Sequence, residues 1–231
     1  INLTEAFHGT FFITCSSSIF IACSGSSVGG SLAVGSSSLR RARIGGACDV
    51  LLQADCVGAD GKQFVAGGPT VKNVTGYDIC RLLVSSLGTL ALMGVVTLRT
   101  RPKPEMGVWL EGELDFGEIV NCCYRPASVL YDGSKTFVFI EGYEVDVEKE
   151  KAFLEKVGMT GLEGALEIPP LQKGATKKDL KSGFLDLQTG AIYSNDTNSN
   201  IEVSEEVQRL SNRIKQNFDP TGRLNPGRKP Y

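Results

Sequence analysis

Apolar positions along the chain alternate between runs with a period of two and stretches with helical spacing. Residues 50–57 (VLLQADCV) are mostly apolar and predict a largely buried strand. Ala59-Asp60-Gly61-Lys62 follows. Asp-Gly tolerates the positive φ of a hairpin turn, so Gln63-Phe64-Val65 is the expected return strand. Gly67-Gly68-Pro69 then breaks the pattern. Asp78 is placed to cap a helix with Ile79, Leu82 and Leu83 on its apolar face, and Gly88 fits the left-handed position beyond its end. Residues 95–101 (VVTLRTR) alternate as a strand, and Pro102 and Pro104 stop it and mark a domain boundary.

Beyond the prolines the order becomes strand, helix, strand, helix. The segments are a strand over 109–115, a helix over 116–124, a strand over 136–143, and a helix capped by Asp146 that runs to Val157 with Phe153, Leu154 and Val157 buried. This is the pattern of a small ferredoxin-like α+β layer. Residues 160–200 have little apolar periodicity and read as loops with one short strand near 191–193. Ser204 caps a last helix with acidic residues in its first turn and Val207, Leu210, Ile214 and Phe218 on one face. Asp219-Pro220 ends it, and a turn-rich tail follows. The stretch 24–38 (SGSSVGGSLAVGSSS) fits either a flexible linker or a folded loop, and Val28, Leu32, Ala33 and Val34 favour the loop. The basic run Arg40, Arg41, Arg43 fits either a site facing a phosphate or a partner's acids, or a solvated loop.

Composition narrows the function classes. A net charge of -2 gives no reason to expect nucleic acid or an anionic membrane as partner. The seven cysteines, at 15, 23, 48, 56, 80, 122 and 123, form no C-x-x-C pair, which argues against a zinc or iron–sulfur site held by this chain alone. Their odd count argues against a secreted disulfide scaffold, so a reducing cytoplasm is the expected setting. Cys122-Cys123 reads as packing within a helix. Residues 10–23 are too short and too interrupted by serine to span a bilayer, and no basic leader precedes them. The first residue, Ile1, fits a fragment or a processed start, and residues 1–24 form an unassigned head. The single histidine, His8, lies in that head and is read as neither base nor ligand.

Three segments carry a family likeness: SSVGGSLAVG (26–35), GGPTVKNVTGYDICRLLVSSLGTLALM (67–93) and NFDPTGRLNPGR (217–228), with RIGGACDVLLQADCVGADGKQF (43–64) between the first two. In order and spacing the chain resembles the FAD-linked oxidases of the vanillyl-alcohol oxidase type, whose cofactor domain is called PCMH-type, and among them the glycolate oxidase subunits. PASVLYDG and FVFIEG, within 126–142, resemble the second domain of that group.

The resemblance implies the α+β second lobe of a PCMH-type FAD-binding domain over 25–104, a cap domain over 105–203, and a C-terminal helix and tail over 204–231 that return to the flavin domain. Ser27, Val28, Gly29 and Gly30 would offer the pyrophosphate a nest of amides with serine hydroxyls beside them. From the residues alone a plain turn stays open, and the Rossmann fingerprint is absent. Carried over from the family, Gly88, Leu92 and Met93 would run beside the flavin, Gly45 and Asp49 would line the loop leading to it, and Asn225 would fold back towards it. For Asp49 a loop cap is an equally open role. Ala91 stands where the family has Gly, and Gly94 where it has Thr; a left-handed backbone at Ala91 would cost about 1–2 kcal/mol.

The family's first flavin lobe has no counterpart before residue 25. The expectation is therefore non-covalent FAD in an incomplete site, with no catalytic residue and no metal ligand in this chain. The implied setting is a cytoplasmic glycolate oxidase-like complex, soluble or held peripherally at the inner membrane by its partners. A catalytic FAD subunit there oxidises a 2-hydroxy acid, glycolate to glyoxylate, and an iron–sulfur subunit takes the electrons. A flavin-free structural subunit and a non-functional fragment are the alternatives, and a stand-alone D-lactate-type dehydrogenase is disfavoured by the scarcity of histidine.

Overall fold

The computed structural model describes residues 27–36, 38–70, 77–164, 166–169, 171–172, 182–195 and 203–228. The head with His8 lies outside them, as do parts of the expected loop region, 173–181 and 196–202. The chain divides into two compact units, one of residues 1–38, 45–101 and 203–231, the other of 39–44 and 102–202.

In the first unit, the Gly-Ser stretch that reads as a loop is a helix, α1 (Val28–Val34), capped by Ser27 and ended by Gly35. Its apolar spacing explains this: Val28 and Leu32 stand four apart, and both join the core. The short α2 (Arg41–Ile44) belongs to the second unit, and the chain returns through α3 (Ala47–Val50). β1 (Leu51–Val57) and β2 (Gln63–Gly67) form the hairpin about Asp60-Gly61, and β3 (Leu92–Leu98) pairs with β1 on its other side, giving the antiparallel order β2-β1-β3.

The β1 register fixes the two faces. Ala54 lies between Ala66 and Val96, and Cys56 between Phe64 and Met93; all of these join the core with Leu32, Val50 and Leu83. Full burial of Leu32 and Leu83 stabilises by about 2 kcal/mol each. Asp55, between Val65 and Val95, faces away. Helix α4 (Ile79–Leu83) is capped by Asp78 but ends before Gly88, and Cys80 and Leu83 are its buried residues, while Leu82 is exposed. β3 begins three residues earlier than its alternation suggests, because Val57 finds its partner in Leu92.

The larger part of the second unit starts at Pro102. β4 (Met106–Gly112), α5 (Phe116–Cys122), β5 (Ser128–Tyr131), β6 (Thr136–Gly142), α6 (Glu144–Lys156) and β7 (Thr160–Gly161) run in chain order with sheet order β7-β4-β6-β5. That is a ferredoxin-like βαββαβ layer. The sheet continues through β9 (Phe184–Asp186) and β10 (Ile192–Tyr193) to β8 (Leu171–Gln172). Its core contains Leu110, Ile119, Val129, Val138, Ile140 and Leu154. The buried stripe of α6 differs from the expected one: Val147 and Leu154, seven apart, are buried, while Phe153 is 52% exposed and Val157 is exposed. The helix starts two residues before Asp146, which rotates that face. α7 (Glu205–Phe218) returns to the first unit, where Ile214 and Phe218 pack on the core while Val207 and Leu210 stay exposed.

Candidate functional site

All ten residues singled out by the resemblance lie in the first unit. The centre of the arrangement is the connection from α4 to β3. Ser85 and Leu87 hold left-handed backbone, φ +67° and +55°, conformations rare outside glycine, and Gly88 follows at +69°. Ala91 is not among the positive-φ residues, so the strain tied to a left-handed Ala91 does not arise there. Local bonds hold the loop: Ser86 Oγ donates to Leu83 O at 2.7 Å and Thr89 Oγ1 to Ser86 O at 2.7 Å, both buried.

Two further segments fasten to this loop. The carboxyl end of α1 accepts from it, Ser85 N to Leu32 O at 3.0 Å and Leu87 N to Ala33 O at 2.8 Å. Only about 6 Å of helix rise separates Leu32 from Val28. The tail reaches it from the other end of the sequence, with Asn225 Nδ2 donating to Leu87 O at 2.5 Å. Thus the three motif segments meet around residues 85–89. Gly88 has open space where a side chain would stand, and Leu92, at the start of the edge strand β3, is 65% exposed. Met93 turns the other way, into the core. The result is a bare backbone step beside an apolar side chain.

The remaining candidates are more engaged than a ligand site needs. Ser27 Oγ accepts from Gly30 N at 3.0 Å and Ser27 O from Ser31 N at 2.9 Å, so the Gly30 amide is occupied by the helix cap. Val28 is packed on the core and Gly29 has open space around its Cα. Asp49 accepts from Gly46 N at 2.9 Å on one oxygen and from Arg81 Nη2 at 2.9 Å on the other, and its Cβ fills the space a side chain on Gly45 would need. It acts as a loop cap tied to α4.

Two groups gain roles that the sequence pattern leaves out. Lys215, in the last turn of α7, sends Nζ to Thr89 O at 2.8 Å, Asp219 Oδ2 at 2.5 Å and Leu224 O at 3.0 Å. The signal available was the Lys–Asp spacing of four across the end of α7. Burial opposes ionisation of Asp219, but the Lys215 ammonium and the Leu224 and Arg223 amides outweigh it and hold its carboxyl well below the ordinary range. In the second unit, Arg40 pairs with Glu141 at 2.7 Å, and Arg43 lies 3.9 Å from the same carboxylate. Neither a phosphate-facing nor a solvated role describes Arg40.

Among the described residues no cluster of three or more His, Cys, Asp or Glu could hold a metal, and no helix is long and apolar enough to cross a membrane. Burial pushes the Cys123 thiol up to about 12 and that of Cys56 to about 11.

No family model matches the chain. The glycolate oxidase subunit GlcE of Escherichia coli (strain K12) is 25% identical over 247 aligned positions, which cover 87% of this chain and 71% of that protein. The glycolate oxidase subunit GlcD of Bacillus subtilis (strain 168) is 35% identical over 126 residues, 51% of this chain and 27% of that protein. An FAD-linked oxidoreductase of Mycobacterium tuberculosis (strain CDC 1551 / Oshkosh) is 35% identical over 78 residues, 34% of this chain and 17% of that protein. The chain thus spans most of the first relative and about a quarter or less of the other two. It is a homologue of the FAD-linked oxidoreductases, with glycolate oxidase subunits among its relatives.

Proposed function

We propose that the chain is an FAD-binding subunit of a glycolate oxidase-like complex, its first unit supplying one side of the flavin's cradle as the second lobe of a PCMH-type domain. The observation that carries this reading is the meeting of three motif segments at residues 85–89, with Asn225 bound to the carbonyl of Leu87 across 138 positions of sequence. The open backbone at Gly88 and the exposed Leu92 fit the edge of a flat aromatic ring system, which wants close main-chain approach and an apolar neighbour. The open backbone at Gly29, about one helical turn before Leu32, fits a pyrophosphate contact through the amides of Val28 and Gly29. Gly45 and Asp49 support the strand behind the site.

When bound, FAD supplies two-electron oxidation of a 2-hydroxy acid such as glycolate. The chain's own part is to orient the cofactor and to present an apolar edge through Leu92, with Met93 anchoring that stretch of β3 in the core. The base that takes the hydroxyl proton belongs, in this reading, to a catalytic FAD subunit, and an iron–sulfur subunit carries the electrons onward, on the cytoplasmic side. The word "subunit" in the names of two relatives supports an assembly of this kind.

The test is the visible absorption spectrum and flavin count of the chain purified with its partner subunits. Flavin in excess of one per catalytic subunit is expected, and it should fall when Gly88 is replaced by Val. One flavin per complex, all of it on the catalytic subunit, overturns the cofactor role. It would leave a flavin-free structural subunit, a second reading favoured by the capped Gly30 amide and the fully engaged Asp49.

A further inference from the structure

We infer that Lys215 is a positioning residue: its ammonium joins α7, the tail and the loop 85–89 into one rigid backbone surface, and so sets how tightly that surface can hold a flavin. The inference rests on the cofactor reading above for its second half only. An ammonium has three N–H donors, and the three oxygens around Lys215 come from three separate places: Thr89 on the loop, Asp219 at the end of α7, and Leu224 in the tail. Every donor is used, so no other orientation of the side chain keeps all three bonds.

Asp219 completes the tie. Its side chain is fully buried. Besides Lys215 it accepts from Leu224 N at 2.8 Å and Arg223 N at 2.9 Å, which folds the tail back on the helix end. That fold delivers Asn225, itself at φ +42°, to Leu87 O. Three of the four left-handed non-glycine residues among those described, Ser85, Leu87 and Asn225, are therefore in or against this one loop. Backbone of that kind persists only where its surroundings over-determine it, and it gathers at functional positions. Here the over-determination comes from α1 on one side and from Lys215 and Asn225 on the other. An arginine could not replace the lysine, since its flat fork cannot place three donors about one point.

Amide hydrogen exchange resolved by segment tests the tie on the full chain, alongside titration of its flavin-stripped complex with partner subunits, where FAD uptake is followed by quenching of flavin fluorescence. Lys215→Met should raise exchange roughly tenfold or more in both 84–91 and 219–228, because a charge-assisted bond to each is lost. Strands β1 and β6 should keep their protection. Asn225→Ala, a milder change at an exposed side chain, should raise exchange in 84–91 alone. FAD affinity should fall roughly tenfold in the lysine variant and less in the asparagine variant. Exchange that stays unchanged in both segments, or rises evenly through β1 and β6 as well, overturns the inference, the second result marking Lys215 as a general stabiliser. Should the complex of the unaltered chain with its partner subunits hold one flavin only, all of it on the catalytic subunit, the cofactor reading and the second half of the inference fall together, while the exchange pattern still decides the tie.

Discussion

At Glu141 a carboxylate lies in the second unit with its side chain 3% exposed, and Arg40 answers it through Nε at 2.7 Å. Removing one partner of such a pair leaves a buried charge without compensation, which costs about 3–5 kcal/mol where burial is complete. Arg40→Met should therefore lower the unfolding free energy by about 3 kcal/mol in urea titration, whereas the exposed Arg209, paired to Glu205 on α7, should lose less than about 1 kcal/mol on the same change. A loss from Arg40→Met no larger than from Arg209→Met would contradict this account. Asp219 makes a prediction in pH. Its folded carboxyl titrates below the unfolded one, so the unfolded chain takes up the proton first as pH falls. Its contribution is complete above about pH 4 and is lost progressively below it. Asp219→Asn should flatten the acid limb of a stability-versus-pH curve, and an unaltered limb would remove Asp219 from it. These roles were only partly written in the residue string. Lys215 and Asp219 stood at a readable spacing, but nothing in the chain itself places Thr89 within reach of the ammonium.

Elements that depend on neighbours in sequence came out close to their pattern. Asp115 caps α5 by accepting from Glu118 N at 2.8 Å, while Glu118 accepts from Asp115 N at 3.1 Å, a reciprocal box contained within four residues. Asp115→Ala should cost about 1 kcal/mol in a thermal melt, and recover little from a Glu118→Ala change added to it, because the two bonds share one cap. At α1 the pattern misled: glycines at 29 and 30 weaken a helix by about 1 kcal/mol each, and the stretch reads as a loop. Burial of Leu32 and half-burial of Val28 on the sheet offset that cost. Gly35 then closes the helix at φ +73°, where any side chain would collide with Ser85. Gly35→Ala should thus destabilise by more than the 1–2 kcal/mol of a left-handed alanine alone, and a milder effect would argue against close packing of α1 on the loop.

On the scale of the molecule the chain builds two cores from interleaved segments, one around Leu32, Val50 and Leu83 and one around Leu110, Val138 and Leu154. Each core answers to its own side chains. Leu154→Ala opens a cavity in the second and should cost about 2–5 kcal/mol. Exchange should then rise in β4, β5 and β6 before it rises in β1 and β3; an equal rise in all five would mean that the two units unfold as one. The α+β class and the ferredoxin-like order of the second unit were legible because strand and helix periods alternate cleanly through 106–156. β5 went unread, being four residues long beside Arg125-Pro126, and only its place between β6 and β9 makes it a strand.

By itself the sequence determined the locally encoded parts: the Asp60-Gly61 hairpin, the Asp78 and Ser204 caps, the stop at Pro102, and the family likeness carried by its three motif segments. Those depend on backbone preference and on side chains a few residues apart. Tertiary structure alone decided that the motif segments share one loop and that Lys215 binds Thr89 across 126 positions. The physical reason is that a hydrogen bond between distant segments is chosen by the packing that brings them together, and packing is a property of the whole unit rather than of any stretch within it.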